Sequence, residues 1–227
     1  MKPITLLSLL ALLALSACGT SGGGVPGGPA ASAAIARIGA IFGRGGEAAP
    51  PPALTRAALA GTTIPILQVG IPSRQATALF TSAAVNGPSI TWISGATPGQ
   101  GGITVTTESG LLVATRGLGA DLMSSDVSGP VTALARGGGR YRRDIVFLDG
   151  EDQAVSLTPE CVMEAVGPEE IIIVERRHRV VRYVENCVGA GGLAFSGVYW
   201  LEGGRLRASQ QWTGRVLGQV AVNVVQP

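Results

Sequence analysis

Apolar residues along this chain follow two patterns, and the change between them falls near Gly61. Before it, residues 4–15 are almost unbroken hydrocarbon, and the next segments are rich in Gly, Ala and Pro. After it, short apolar runs rich in β-branched residues are separated by Gly, Pro, Asn and Asp. The runs are 62–69, 76–85, 89–94, 103–107, 111–115, 141–148, 154–162, 170–176, 180–187, 194–202, 205–212 and 219–225. Short strands with turn signals at roughly 8–12-residue spacing predict an antiparallel β-sandwich or open half-barrel. The expectation is a mainly β fold of about ten to twelve short strands with one to three short helices.

Turn chemistry supports these divisions. Glu202-Gly203-Gly204 sits between two runs, and Gly supplies positive φ cheaply. Glu108-Ser109-Gly110 makes a similar tight connection. Helical spacing occurs at residues 30–42, where Ile35, Ile38 and Phe42 share a face. Further short helical stretches are predicted at 53–60 and 118–126, with 136–139 as a loop. No internal repeat of 20–50 residues is present.

The N-terminal segment directs the chain to the envelope. Lys2 precedes the apolar run, and Leu15-Ser16-Ala17-Cys18 follows it. A cation, a short apolar stretch and small residues at the end describe a secretory signal peptide. The run is too short to span a bilayer, which needs about 20 apolar residues. The four residues ending in Cys18 resemble the lipobox of bacterial lipoproteins. That resemblance implies cleavage between Ala17 and Cys18 and a lipid on the Cys18 thiol. With two or three acyl chains, each buried CH2 adding about 0.8 kcal/mol, attachment would be effectively permanent. Gly19 in place of aspartate implies sorting to the outer membrane, on its periplasmic face. The expected organisation is a signal peptide (1–17), then an anchor, Gly/Pro-rich tether and short helix (18–60), then an antiparallel β domain (61–227).

Composition narrows the partners. Lys2 is the only lysine, so the processed chain carries 16 arginines against 15 acidic residues, a net charge of +1. Near-neutrality argues against a nucleic-acid binder, which carries a basic excess. Beside Cys18 there remain Cys161 and Cys187, an even pair in an oxidising compartment. This predicts a disulfide, with two free buried thiols as the alternative. Two thiols and the lone His178 do not complete a tetrahedral metal site, so no metal and no cofactor beyond the Cys18 lipid are expected.

Catalytic motifs fail on context. Residues 19–23 fit G-x-S-x-G, but in a tether, where no strained strand-to-helix turn can form. Residues 189–194 fit G-x-G-x-x-A, but a β-like run follows where a helix is required. His178, flanked by arginines, reads as a solvated turn residue without a nucleophile. Glu151-Asp152 and Glu169-Glu170 are adjacent pairs, which a strand points to opposite faces. Two features suggest contact. Strand alternation puts Arg140 with Arg142, and Arg177 with Arg179, on shared faces, and the two pairs would form an anion-attracting patch if those faces adjoin. Trp92, Trp200 and Trp212 offer flat faces for sugars, or else fill the core.

Residues 197–211, GVYWLEGGRLRASQQ, are similar to a hairpin of the YjbF / group 4 capsule (GfcB) lipoproteins. That hairpin has an aromatic strand ending in Trp, an acidic-glycine turn, and an arginine-bearing strand ending in Ser-x-Gln. Trp92 and the segment 110–118, GLLVATRGL, also resemble the family's central part. The likeness runs from about Arg56 to Val225, plus the lipobox. It implies an antiparallel β fold, an outer-membrane anchor and a non-catalytic role in capsule or exopolysaccharide secretion, touching the glycan or export proteins. It transfers no catalytic residue. The alternatives are a glycan-modifying enzyme and a lipid or lipoprotein carrier with an apolar β cavity.

Overall fold

The computed structural model describes residues 54–95 and 102–226. Ala17, Cys18, the tether and the helix predicted at 30–42 lie outside them. The strands are β1 (Ile66–Ile71), β2 (Ala76–Asn86), β3 (Ser89–Ser94), β4 (Ile103–Glu108), β5 (Leu111–Arg116), β6 (Leu122–Ser125), β7 (Gly138–Arg142) and β8 (Ile145–Leu148). They continue with β9 (Ala154–Leu157), β10 (Glu160–Ile173), β11 (Arg176–Val188), β12 (Ala194–Glu202), β13 (Arg205–Trp212) and β14 (Gln219–Gln226). One α-helix, α1 (Ser128–Arg136), stands between β6 and β7.

The predicted mainly β fold is found: two antiparallel sheets that do not close into a barrel. Eleven strands run in the order β5-β4-β3-β2-β1-β14-β13-β12-β11-β10-β7, and β6-β8-β9 form a small second sheet. Fourteen strands among the described residues replace the expected ten to twelve, because run 141–148 divides and β6 forms inside the stretch expected as a helix, while run 154–162 divides and its second part joins 170–173 in β10. Residues 141–148 break at the buried Arg143, sending β7 to the large sheet and β8 to the small one. Residues 154–162 break at Pro159, where β9 ends and β10 begins.

The helix predicted at 118–126 is absent. Asp121 accepts hydrogen bonds from the Gly117 and Leu118 amides (2.9 and 3.1 Å) and from Thr115 Oγ1 (2.7 Å), locking a loop that leads into β6. The stretch near 53–60 makes turns, with Leu59 N bonded to Arg56 O and Ala60 N to Ala57 O. The helix forms instead at Ser128–Arg136, where Pro130, Ala133 and Leu134 line its buried side. Pro130 lies in the first turn, where its missing N–H costs nothing. Residues 136–139, expected as a loop, end α1 at Gly137 and begin β7.

The large sheet curls around its own core. Leu67, Phe80, Trp92, Val105 and Leu112 from one half meet Phe195, Trp212, Val220 and Val222 from the other. The small sheet caps this side with Leu122, Ile145 and Phe147. Phe195 stacks on Trp212 with ring centroids 4.2 Å apart, and Phe147 meets the same indole edge-on at 5.3 Å. Each such large side chain, fully buried, contributes about 1.5–3 kcal/mol. Curling brings edge strand β5 over β13, where the Leu112 amide donates to Gln211 Oε1 at 3.0 Å. Side chains of this cluster fill the concave side.

The outer face is covered by an arm. β11 pairs with β12 only from Val181 onward, so residues 167–180 of β10 and β11 extend as a two-stranded ribbon. A bulge between Ala165 and Gly167 flips the alternation of β10. Ile171 and Ile173 thereby turn onto Ile66, Leu79, Ala208 and Val225. Arg56 pins the ribbon's tip: its amide donates to Glu175 Oε2 (2.9 Å), Nη2 to Ile173 O (2.9 Å) and Nη1 to Val225 O (3.0 Å).

Candidate functional site

The predicted disulfide is present. Cys161 and Cys187 face each other across β10 and β11 with Cα atoms 4.1 Å apart. Close cross-strand pairs of this kind suit a bridge without moving the backbone.

The aromatic candidates separate by burial. Trp92 (7 % exposed) and Trp212 (8 %) belong to the core, so neither offers a ring face to a sugar. The Trp92 indole N–H donates to Thr107 Oγ1 at 2.9 Å. Trp200 is half-buried against the arm and donates to Glu169 Oε2 at 3.1 Å.

The two arginine pairs do not adjoin. Arg140 and Arg142 pair with Val162 and Glu160, whereas Arg177 and Arg179 pair with Ile172 and Glu170. Eight residues of β10 between Val162 and Glu170 span about 26 Å at about 3.3 Å per residue. The pairs also lie on opposite faces: Arg177 and Arg179 share the alternation of Cys187, while Arg140 and Arg142 flank Tyr141, which faces Cys161. Two of the four already hold carboxylates, Arg142 on Glu160 at 3.1 Å and Arg177 on Glu170. One continuous patch is therefore excluded.

His178 is not the solvated turn residue expected. It lies within β11, is 3 % exposed, and pairs through Nδ1 with Glu202 Oε2 at 3.2 Å. Arg207 Nε donates to the same oxygen at 2.8 Å. The His178 bond first, and Arg207 after it, hold the Glu202 carboxyl below its ordinary value. The alternation that exposes Arg177 and Arg179 turns His178 inward.

A buried polar network stands beside the disulfide. Glu185 takes hydrogen bonds from Tyr141 OH (2.7 Å), Tyr199 OH (2.7 Å) and Arg143 Nη1 (3.1 Å to Oε2). Arg143 Nε donates to Ser125 Oγ at 3.0 Å. Burial, then the Glu185 carboxylate, push both phenols well above their usual range. Gly197 leaves room for this cluster, since a Cβ there would lie 2.9 Å from Glu185 Oε2. With Arg143 and Glu185 each 1 % exposed, their ion pair holds strands together and is closed to a solute.

The open chemistry lies around the last turn of α1. A cavity of about 240 Å³ between α1 and β7 is lined by Ser128, Thr132, Arg136, Arg140 and Tyr141. A larger one of about 490 Å³ on the other side of the turn is lined by Leu134, Val181, Tyr183, Leu201, Gly203 and Gly204. Arg136 lines both. Gly129 lets α1 approach β7, because a Cβ there would sit 2.8 Å from the Tyr141 ring. Gly203 and Gly204 take positive φ (56° and 79°), as the hairpin turn requires, and leave the rim free of side chains. Of this surface the sequence singled out only Arg140. Tyr183 and Arg136 are distant in the chain and carry no motif.

A family description covers most of the chain: residues 32–225 match "Group 4 capsule polysaccharide lipoprotein gfcB, YjbF". The chain belongs to this family. It is accordingly a lipoprotein of capsule-related, membrane-associated character. The matched span begins after residues 15–18, which resemble a lipobox. The hypothetical lipoprotein YmcC from Escherichia coli (K12) has a similar solved structure, with a TM-score of 0.67 at 19 % identity. The alignment covers 77 % of this chain and 89 % of that one, which shows the shared fold. Comparison with curated proteins gives no match.

Proposed function

We propose that this protein is anchored by its Cys18 lipid to the periplasmic face of the outer membrane and assists capsule or exopolysaccharide secretion by contact, without catalysing a reaction. The observation that carries the reading is the pair of cavities meeting at Arg136. One side offers Arg136 and hydroxyls, the other an aromatic ring and aliphatic side chains. A sugar chain presents the same two characters, hydroxyl edges and apolar ring faces. The groups best suited to proton transfer, Glu185 and His178, are buried in structural pairings. That supports binding over turnover.

The test is genetic and biochemical together. Deleting the gene should lower surface polysaccharide, and complementation with the wild-type gene should restore it. Complementation with Tyr183→Ala should restore it only in part, at unchanged protein abundance. Purified protein should bind the polysaccharide without shortening it. Unchanged surface glycan in the deletion strain, or release of fragments by the pure protein, refutes the proposal.

A further inference from the structure

We infer that residues 176–180 of β11 form a docking edge for an extended acidic peptide, which joins the arm as a third strand. This rests on the reading that the protein works by contact, and it names the chemistry of a protein partner.

The two long edges of the arm differ. β10 loses its neighbour β7 after Glu164, and β11 is joined by β12 only from Val181 onward. Each strand of the ribbon therefore has one side without a partner strand among the described residues. Such a side presents N–H and C=O groups that another chain can bond. The β10 edge is guarded: a bulge interrupts it between Ala165 and Gly167, Pro168 has no N–H to offer, and Glu169 and Glu170 follow. The β11 edge, Arg176-Arg177-His178-Arg179-Val180, has neither bulge nor proline.

Charge decides what can lie there. Arg176, Arg177 and Arg179 are exposed, and among the described residues only Arg177 is held by a carboxylate, that of Glu170. The β12–β13 hairpin ends beside them with Glu202, bonded to His178, and with Arg205 and Arg207. Five arginines thus stand against Glu170 and Glu202, while Glu175 at the tip is turned to the Arg56 amide. A second copy of this edge would be repelled, and the same charges attract an acidic strand. A polysaccharide has no backbone of regularly spaced amides to continue the ladder, so the edge suits a peptide. By alternation an added strand sets every second side chain beside Arg177 and Arg179, where acids belong. The side chains between them turn toward the buried His178 and Val180, where apolar groups belong.

The experiment uses the full-length lipidated protein in detergent micelles and a fluorescein-labelled peptide of alternating glutamate and valine. Anisotropy should show saturable binding. Hydrogen exchange at residues 176–180 should slow when the peptide is added, while β9, the edge of the small sheet, is unaffected. A peptide with glutamine for every glutamate should bind at least about tenfold more weakly, the effect of losing one charge-assisted pair. N-methylation of alternate peptide amides should weaken binding in one of its two registers, because it removes the donors of the ladder. Arg179→Gln should cost about tenfold, and Arg142→Gln on β7 should bind as wild type does. Both arginines are exposed, and an unchanged circular dichroism spectrum verifies the fold of each variant. Equal binding of the glutamate and glutamine peptides, or indifference to N-methylation in both registers, overturns strand addition. Displacement of the peptide by polygalacturonate, with no slowing of exchange at 176–180, marks the edge as a plain anion-attracting surface and overturns it as well. No binding at millimolar peptide overturns it too, and leaves the glycan-contact reading to its own genetic test.

Discussion

Arg143 Nη1 lies 3.1 Å from Glu185 Oε2 with both side chains 1 % exposed, an ion pair sealed between the curled sheet and its cap. Removing one partner strands the other charge in the interior. Arg143→Met should cost about 3–5 kcal/mol. Arg143→Met with Glu185→Leu should recover much of that loss, because replacing both charges removes the desolvation penalty. Urea unfolding of the three proteins measures the difference. Equal stability of the single and double variants contradicts the account.

Alkaline pH probes the same cluster through Tyr199 and Tyr141. Their phenols titrate above the ordinary value of 10.0 because burial and the Glu185 carboxylate disfavour phenolate. The folded state therefore keeps protons that the unfolded chain releases. The contribution is intact below pH 10 and is lost as pH rises toward the elevated folded values. Tyr199→Phe should cost about 1.5–3 kcal/mol at neutral pH and make the alkaline decline shallower. Denaturation midpoints from pH 8 to 11 test both effects.

The Cys161–Cys187 bridge closes a loop with a sequence separation of 26. Cys161→Ala with Cys187→Ala should lower stability by about 3–4 kcal/mol on the chain-entropy estimate. Thermal unfolding of the wild type with and without reductant should approach the same value. A loss below about 1 kcal/mol would show that the reduced unfolded chain stays compact.

Much of the sheet is legible from alternation alone. β3 has the bounds its sequence run shows, and β12 and β13 match their runs because a glycine turn separates them. The readings that failed share a cause: a polar side chain committed to a specific partner, distant in sequence for Arg143 and His178 and local for Asp121. Arg143 breaks one strand run by burying its charge on Glu185, 42 positions away. His178 looks solvated among arginines, yet its partner Glu202 stands at the end of β12. Asp121 locks the start of the stretch expected as a helix into a loop by capturing the Gly117 and Leu118 amides. A one-dimensional pattern carries the period of each element and no record of which charged groups meet. The cavities at Arg136 were hidden for the same reason, assembled from α1, β7, β11 and the β12–β13 turn.

Acid tests the arm. The His178 bond and Arg207 hold the Glu202 carboxyl below its ordinary value of 4.5. Its contribution is intact above pH 4.5 and is lost as pH falls through the depressed folded value. Glu202→Gln should flatten the acid limb of the stability profile. Hydrogen exchange in residues 167–180 should quicken in that variant ahead of the rest of the sheet. Uniform exchange across β10 and β11 would separate Glu202 from the arm.

The anchor is testable by mass. Cys18→Ser should leave the protein in the aqueous phase of a detergent partition, whereas the native protein enters the detergent phase carrying acyl chains on its first residue. An unacylated native N-terminus refutes the lipid reading.

Arg56, whose three bonds reach Glu175, Ile173 and Val225, also sets the mechanical character of the body. Tension applied at the N-terminal end of the domain is not borne by β1 alone. It divides at Arg56 between the ribbon's tip and the last strand, so several ladders must shear together before any one can unzip. On the proposed tethered role the body would resist drag by that route, and Arg56→Ala should reduce its unfolding force.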